Sequence, residues 1–446
     1  MPRVPLALMA ILGALQGAVV DQGEPFPVED QWFEQYLDHF NPMDNRTFSL
    51  RYFENGEFYR PGGPILLEIG GEVTVEPSSM RSGPNYELGR RMGGMILLLE
   101  HRYYGKSDPF GENKTVDEYQ YLTAEQALED IAYFIESYKS KTPSFRQSKV
   151  AVFGCSYAGT LATWMRYKFP HLVDAAWASS APLRITLDFY EYYEVAGELY
   201  SNVSSECIAI VRQGYREAKV LLATPEGLEQ VRATFEGWSC GNVTEMGSIE
   251  ILATIRMVLS NQYNSPHYGR ESCAFLQDKN SSTTCFEQLA AFVLMKDEEV
   301  CFDDDIGDVM AWSYQTCTQF GFSFTLSSML QPFKDSESMI DVDMKFCSET
   351  FGDEFDIDQL QRSIARMNRV YGSTELKVTK VVTIQGTQDP WNKVGLQRQT
   401  QIDAPVFLVP GASHCADTYD NDYEQELPLL QQAKRLAYSL LIKWLQ

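Results

Sequence analysis

Two uninterrupted apolar runs stand out in the first quarter of the chain, PILLEIGG (64–71) and GMILLLEHRYYG (94–105). Each stops at glycine or charge, the pattern of strands buried on both faces. Between Thr123 and Lys141 the period lengthens: Leu128, Ile131, Ile135 and Tyr138 fall on one helical face, and Thr123-Ala-Glu-Gln126 forms a capping box. KVAVFG (149–154) then reads as a strand, 158–169 as a helix and VDAAWASSAPL (173–183) as a strand. From 186 to 368 helix formers dominate and strong strand runs are absent. Strands return at 377–386 and 404–411, and a final helix places Leu429, Ala433, Leu436, Leu440 and Trp444 on one face. Alternation, a helical insertion and resumed alternation predict an α/β fold with a parallel sheet and a cap. The expected division is 21–185 for the first part of the sheet domain, 186–368 for the cap and 369–446 for the second part.

Residues 4–15 form a short apolar run after Arg3, followed by small residues. This predicts a signal peptide over 1–20 and no membrane insertion of the mature chain. Sequons at Asn45, Asn113, Asn202, Asn242 and Asn280 predict glycosylation, and nine cysteines fit an oxidising compartment. An odd count leaves at least one thiol without an intrachain partner. Cys155 is expected to be that thiol, because it sits at a tight corner. A net charge of −24 argues against a nucleic-acid partner. The acidic run 296–308 lacks the ligand spacing of a calcium loop and reads as solvated. No metal or cofactor is expected. Oligomeric state is not legible in the chain; a homodimer is compatible with it.

The corner that ends the strand at 149–154 carries the chemistry. Strand, turn and helix around Gly154-Cys-Ser156-Tyr-Ala158-Gly159 form a nucleophile elbow, with Ala158 where the pattern has glycine. This elbow defines the expected fold as an α/β-hydrolase. A serine hydroxyl needs a base, and in this fold acid and base follow in that order on late loops. Of five histidines, His39 and His101 precede the serine, His171 lies at the far end of the helix after it, and His267 lies in the insertion. His414 directly follows the last strand and is the candidate base. Asp389 follows the preceding strand and is the candidate acid, over Asp403, placed before the last strand, and Asp417, placed after His414. The oxyanion hole is expected from the Tyr157 amide and from Gly70 or Gly71, with Gly71 the choice.

At these residues the chain resembles the serine peptidase family of lysosomal Pro-X carboxypeptidase, dipeptidyl peptidase II and thymus-specific serine protease. EHRYYGKSDPFG (100–111), YLTAEQALEDIAYFI (121–135), GCSYAGTLATW (154–164), WSYQTC (312–317) and GTQDPW (386–391) occur in the family's order. GASHC most resembles the thymus-specific branch. The resemblance implies a disulfide-bonded helical cap between the serine half and the Asp/His half. It implies exopeptidase action on peptides, typically after proline, in lysosomes or secreted fluid, with Ser156, Asp389 and His414 as the triad. Trp391 matches a residue expected to line the proline pocket, and Trp312 and Tyr314 are expected to wall it from the cap. Gln319 departs from the acid usual there, which puts subsite specificity in question. Glu72 is a candidate partner for an α-ammonium group and Arg102 for a carboxylate. The competing readings are a catalytically silent secreted glycoprotein of the same fold and an esterase.

Overall fold

The structure is a computed structural model that describes residues 26–111, 114–236, 238, 243–278, 283–296, 305–334, 338–418 and 427–446. The expected signal peptide, Asn113, Asn242, Asn280 and most of the acidic run lie outside the described residues. Asn45 and Asn202 are exposed.

Eight strands form the main sheet in the order β1-β2-β4-β3-β5-β6-β9-β10. β1 (Gln31–Tyr36) and β2 (Thr47–Asn55) make an antiparallel hairpin. β2 runs antiparallel to β4 (Met95–Leu99), and the remaining pairings are parallel. Those strands are β3 (Ile65–Ile69), β5 (Val150–Cys155), β6 (Ala175–Ser179), β9 (Val381–Gly386) and β10 (Val406–Val409). β5 and β6 lie at the centre, where both faces are covered, which is why they read as continuous apolar runs.

Helices close both faces. α1 (Gly83–Met92) and the C-terminal helix (Pro428–Leu445) share one apolar cluster with Phe153 and Trp177. α2 (Ala124–Lys141) and α3 (Ser156–Lys168) pack on the other face. The Thr123 hydroxyl caps α2 by accepting from the Gln126 amide at 3.2 Å. The C-terminal helix buries Leu430, Ala433, Ala437, Leu441 and Leu445, while Leu429 and Leu436 are 54 % and 46 % exposed. The expected face is thus rotated by one residue. This helix is apolar on two adjacent stripes, and packing of Tyr438 against Trp177 selects between them.

Between β6 and β9 the regular elements among the described residues are helical, apart from a two-stranded parallel ribbon of β7 (Thr186–Asp188) and β8 (Gly321–Ser323). The cap comprises α4 (Glu191–Val203), α5 (Ser205–Leu222), α6 (Pro225–Thr234), α7 (Ser248–Leu259), α8 (Tyr268–Gln277), α9 (Cys285–Lys296), α10 (Ile306–Gln315), α11 (Met339–Phe351) and α12 (Ile357–Tyr371). Disulfides Cys207–Cys273 and Cys317–Cys347 staple it internally. One hydrophobic cluster runs from the sheet through α3 into the cap, and Trp164 of α3 stacks on Tyr371 of α12 at 3.9 Å. Asp308, in the stretch expected to be solvated, is instead buried. It accepts from the Thr74 amide (2.7 Å), the Thr74 hydroxyl (2.8 Å) and the Gly105 amide (3.0 Å), tying α10 to two sheet loops.

Candidate active site

Ser156 sits between β5 and α3 with φ +57°. A non-glycine residue occupies this region only when its surroundings hold it there. The neighbours explain how. A Cβ on Gly154 would lie 2.2 Å from the Ala158 carbonyl oxygen, and one on Gly159 would lie 2.7 Å from the Ser179 oxygen. Both glycines let strand and helix close to a distance that side chains forbid. Ala158, the departure from the pattern, faces open glycine backbone: a Cβ at Gly71 would lie 3.5 Å from the Ala158 methyl. Tyr157 begins the first turn of α3, where backbone amides have no helical partner.

Gly154 faces the helix, so Cys155 faces the opposite way. That geometry corrects the expectation of a free thiol: Cys155 is crosslinked to Cys415, with Cα atoms 5.8 Å apart. The corner itself is crowded, but the side chain leaves it toward the loop after β10. The residue before Ser156 is therefore covalently joined to the residue after His414. The two sulfurs and a His414 ring nitrogen lie within 4.8 Å of one another, and the disulfide consumes both sulfurs as donors for a metal.

Asp389 and His414 lie just past β9 and β10, and both are fully buried. Asp389 Oδ1 accepts from the Trp391 amide and pairs with His414 Nδ1, each at 2.9 Å. Gly386 permits the approach of the two loops, since a Cβ there would lie 2.1 Å from the Ala412 oxygen. With Nδ1–H directed at the carboxylate, Nε2 carries the lone pair. It is buried and without a hydrogen-bond partner. The His414 amide donates to the Gln262 carbonyl of the cap at 2.8 Å.

The other histidines are engaged elsewhere. His39 pairs with Asp130 at 2.9 Å, and His267 lies beside Arg270 on the surface. His171 lines a cleft of about 420 Å³ with Tyr36, His39, Tyr133 and Glu136, remote from Ser156. Asp417 accepts from the Trp177 indole at 2.6 Å and from the Ser179 hydroxyl. The Asp403 carbonyl accepts from the Lys380 amide at 2.8 Å, at the far end of β9. Arg102 is spent inside the fold, on Asp130 and on the carbonyls of Leu37 (3.0 Å) and Tyr121 (2.8 Å). It is therefore no partner for a substrate carboxylate.

Gly70 donates to the Leu99 carbonyl at 2.8 Å, so its amide is already paired; Gly71 packs against the elbow, where an added Cβ would lie 3.6 Å from the Ala158 nitrogen. Glu72 follows it and is buried. Burial pushes its carboxyl up to about 7, offset partly by a hydrogen bond from its own main-chain amide. Its electrostatic neighbours include the phenols of Tyr104, Tyr157 and Tyr263.

Trp312 and Trp391 are bridged by the rings of FGFSF. Phe320 packs on Tyr157 (5.3 Å) and Trp312 (5.8 Å), and Phe322 packs on Trp391 at 5.1 Å. The Trp391 ring centre lies 6.2 Å from that of His414. Tyr314 is not part of this ring cluster. Two residues from Trp312 on a helix, it points away and stacks on Tyr119 at 5.1 Å in a separate cluster. Gln319 also points away, accepting from the Ala124 amide and donating to Glu125 at the start of α2.

The sequence reading missed a buried polar chain behind the elbow. His101 meets the Tyr157 hydroxyl at 3.1 Å, Gln315 donates to the same oxygen at 3.1 Å, and Tyr104 donates to Gln315 at 2.5 Å. Burial lowers His101 to about 4, so it is neutral. It also missed Gln262 and Tyr263; the Tyr263 ring lies 5.5 Å from His414. No motif marks these cap residues, and only the polar NQYN after an apolar helix hints at them.

A serine on a strained strand–helix corner, on this sheet and beneath a helical cap, defines an α/β-hydrolase of the serine class. The chain matches the family described as Serine carboxypeptidase S28 over residues 35–285 and 254–436. It belongs to that family and is a serine-type peptidase. It is 32% identical to the thymus-specific serine protease of Mus musculus over 441 residues, 91% of this chain and 84% of that one. It is 29% identical to the putative serine protease K12H4.7 of Caenorhabditis elegans, over 93% and 87% of the two chains. It is 25% identical to the lysosomal Pro-X carboxypeptidase of Mus musculus, over 93% and 88%.

Proposed function

We propose that the protein is a serine exopeptidase that cleaves after proline through Ser156, His414 and Asp389. The observation that carries this reading is the placement of His414. Its Nδ1 is held by Asp389, its Nε2 is buried and unpartnered, and Cys415 joins it to the residue before Ser156. In the proposed cycle His414 Nε2 takes the Ser156 proton as Oγ attacks the scissile carbonyl. Asp389 stabilises the imidazolium that forms. The Tyr157 and Gly71 amides receive the oxyanion, His414 protonates the leaving amine, and water then releases the acyl group from Ser156 by the same steps.

Proline specificity is supported by the aromatic enclosure of Trp312, Phe320, Phe322 and Trp391. A rigid ring fills such a slot with little loss of side-chain freedom. Glu72 is assigned to the substrate's α-ammonium group, whose charge would favour its ionised form, because it is a buried acidic side chain beside the oxyanion loop while Arg102 is already paired. The disulfides and the exposed sequons at Asn45 and Asn202 support a secreted or lysosomal glycoprotein.

Labelling with a serine-directed fluorophosphonate, followed by turnover of proline-containing dipeptide substrates, tests the reading. Labelling of the wild type, none of Ser156→Ala, and turnover by the wild type alone are expected. Turnover by a folded Ser156→Ala protein would overturn it.

A further inference from the structure

Gln262 is the point where the cap reaches into the machinery. It follows α7 and is 2 % exposed. Its main-chain carbonyl accepts from the His414 amide at 2.8 Å. Its side-chain oxygen accepts from the Trp391 indole at 2.7 Å and from the Tyr192 hydroxyl at 3.2 Å. An indole N–H can only donate, so the atom facing it must be the amide oxygen, and the orientation of the amide is fixed. The two N–H donors of Nε2 are thereby turned away from Trp391. Nε2 is buried and has no hydrogen-bond partner. It lies near the Tyr263 phenol, on which it acts as a donor, but the contact falls short of the geometry of a formed hydrogen bond.

A buried donor left unmade is costly, and one held in place by two bonds on its own oxygen cannot turn to relieve itself. The groups around it are those of the candidate active site: Trp391, Tyr263 and His414. We infer that Gln262 Nε2 is a substrate-binding donor, which completes its hydrogen bond with an acceptor oxygen of the bound peptide. This rests on the proposed serine peptidase reading, but names a contact made by the cap. The oxygen has two sources: a main-chain carbonyl or a terminal carboxylate. Gln262 differs from the triad in what it acts on. A small phosphonylating probe has no peptide oxygen to offer and reacts without it.

The test uses two variants of the full-length protein. Gln262→Glu keeps an oxygen for Trp391 and, when ionised, removes the donor; Gln262→Met removes both at any pH in a side chain of similar length. For each, the fluorophosphonate labelling rate is compared with kcat and KM for a proline-containing peptide, supplied with a free C-terminal carboxylate and as its amide. The inference predicts peptide kcat/KM lowered about 10- to 100-fold with the labelling rate within about twofold of wild type. An equal loss on both peptide forms assigns a main-chain carbonyl, and a loss confined to the free acid assigns the carboxylate. Unchanged peptide kinetics in the variant that labels normally would overturn the inference. So would a parallel fall of peptide turnover and labelling in both variants, since Gln262 would then act only through His414. A wild type that is not labelled would instead contradict the serine peptidase reading.

Discussion

The two sides of the candidate active site are held by different means. On the sheet side, backbone fixes each position. Ser156 has φ +57°, Gly154 and Gly386 allow contacts that a Cβ would block, and a disulfide joins the serine corner to the histidine loop. On the cap side, side chains do the fixing. Trp312, Phe320 and Phe322 pack ring on ring, and Gln262 anchors Trp391 through one hydrogen bond. The sheet side supplies groups that move protons and must not shift. The cap side is uncharged, apolar and richer in unfilled donors, which suits recognition. A change to the sheet side should therefore abolish chemistry, and a change to the cap side should alter choice of substrate.

The largest effects should come from the sheet side. Ser156→Ala is expected to lower kcat by about 10⁴- to 10⁶-fold, with an unchanged melting curve as the check on folding. Asp389→Asn should lower it by about 10⁴-fold, because the amide would favour the wrong His414 tautomer. The comparison breaks if either variant merely changes KM.

On the cap-facing side, Trp391→Ala should lose most of the preference for proline over leucine, about 10- to 200-fold in kcat/KM. Its fluorophosphonate reactivity should stay near wild type. Equal loss of both would place Trp391 with the catalytic groups.

The crosslink sharpens the contrast further. Cys155→Ser paired with Cys415→Ser should lower kcat by roughly tenfold, since small misplacements of the histidine slow the chemistry. It should also reduce stability by a few kcal/mol, on the order expected for a disulfide closing a long loop. Thermal unfolding beside steady-state kinetics measures the two. Unchanged kcat would mean that Asp389 and Gln262 hold His414 alone.

The smallest effect concerns Glu72. Its carboxyl is raised by burial to about 7, so the folded state holds its proton more tightly than an unfolded chain does. Stability from this group is complete below pH ~4.5 and falls as pH rises toward ~7, by up to ~3 kcal/mol. Glu72→Gln should remove that part of the decline. Glu68, also raised to about 7, titrates in both proteins, so the difference between their curves isolates Glu72. Identical curves would show that Glu72 is not buried as described.

What the sequence made legible follows the same division. Ser156, Asp389 and His414 are picked out by strand ends and chain order; Asp389 meets His414, and a disulfide joins the residues beside Ser156 and His414. The central strands read clearly because both faces are buried. The β1–β2 hairpin escaped notice: β1 alternates exposed and buried positions too briefly to stand out. Cys155 is crosslinked where the sequence predicts a free thiol, because crowding at a corner says nothing about the side facing away from it. On the cap, Trp312 and Tyr314 could not be told apart, because helical rotation sends neighbours two apart to opposite sides. Gln262 carries no local pattern, and its role depends on a contact with a loop far along the chain.

The most direct test of the account is digestion of a mixed peptide library, read by mass spectrometry, with wild type and Ser156→Ala side by side at acidic pH. The account predicts terminal trimming concentrated at bonds following proline with the wild type, and none with the variant. Trimming that persists in Ser156→Ala, or that shows no enrichment after proline, would contradict it.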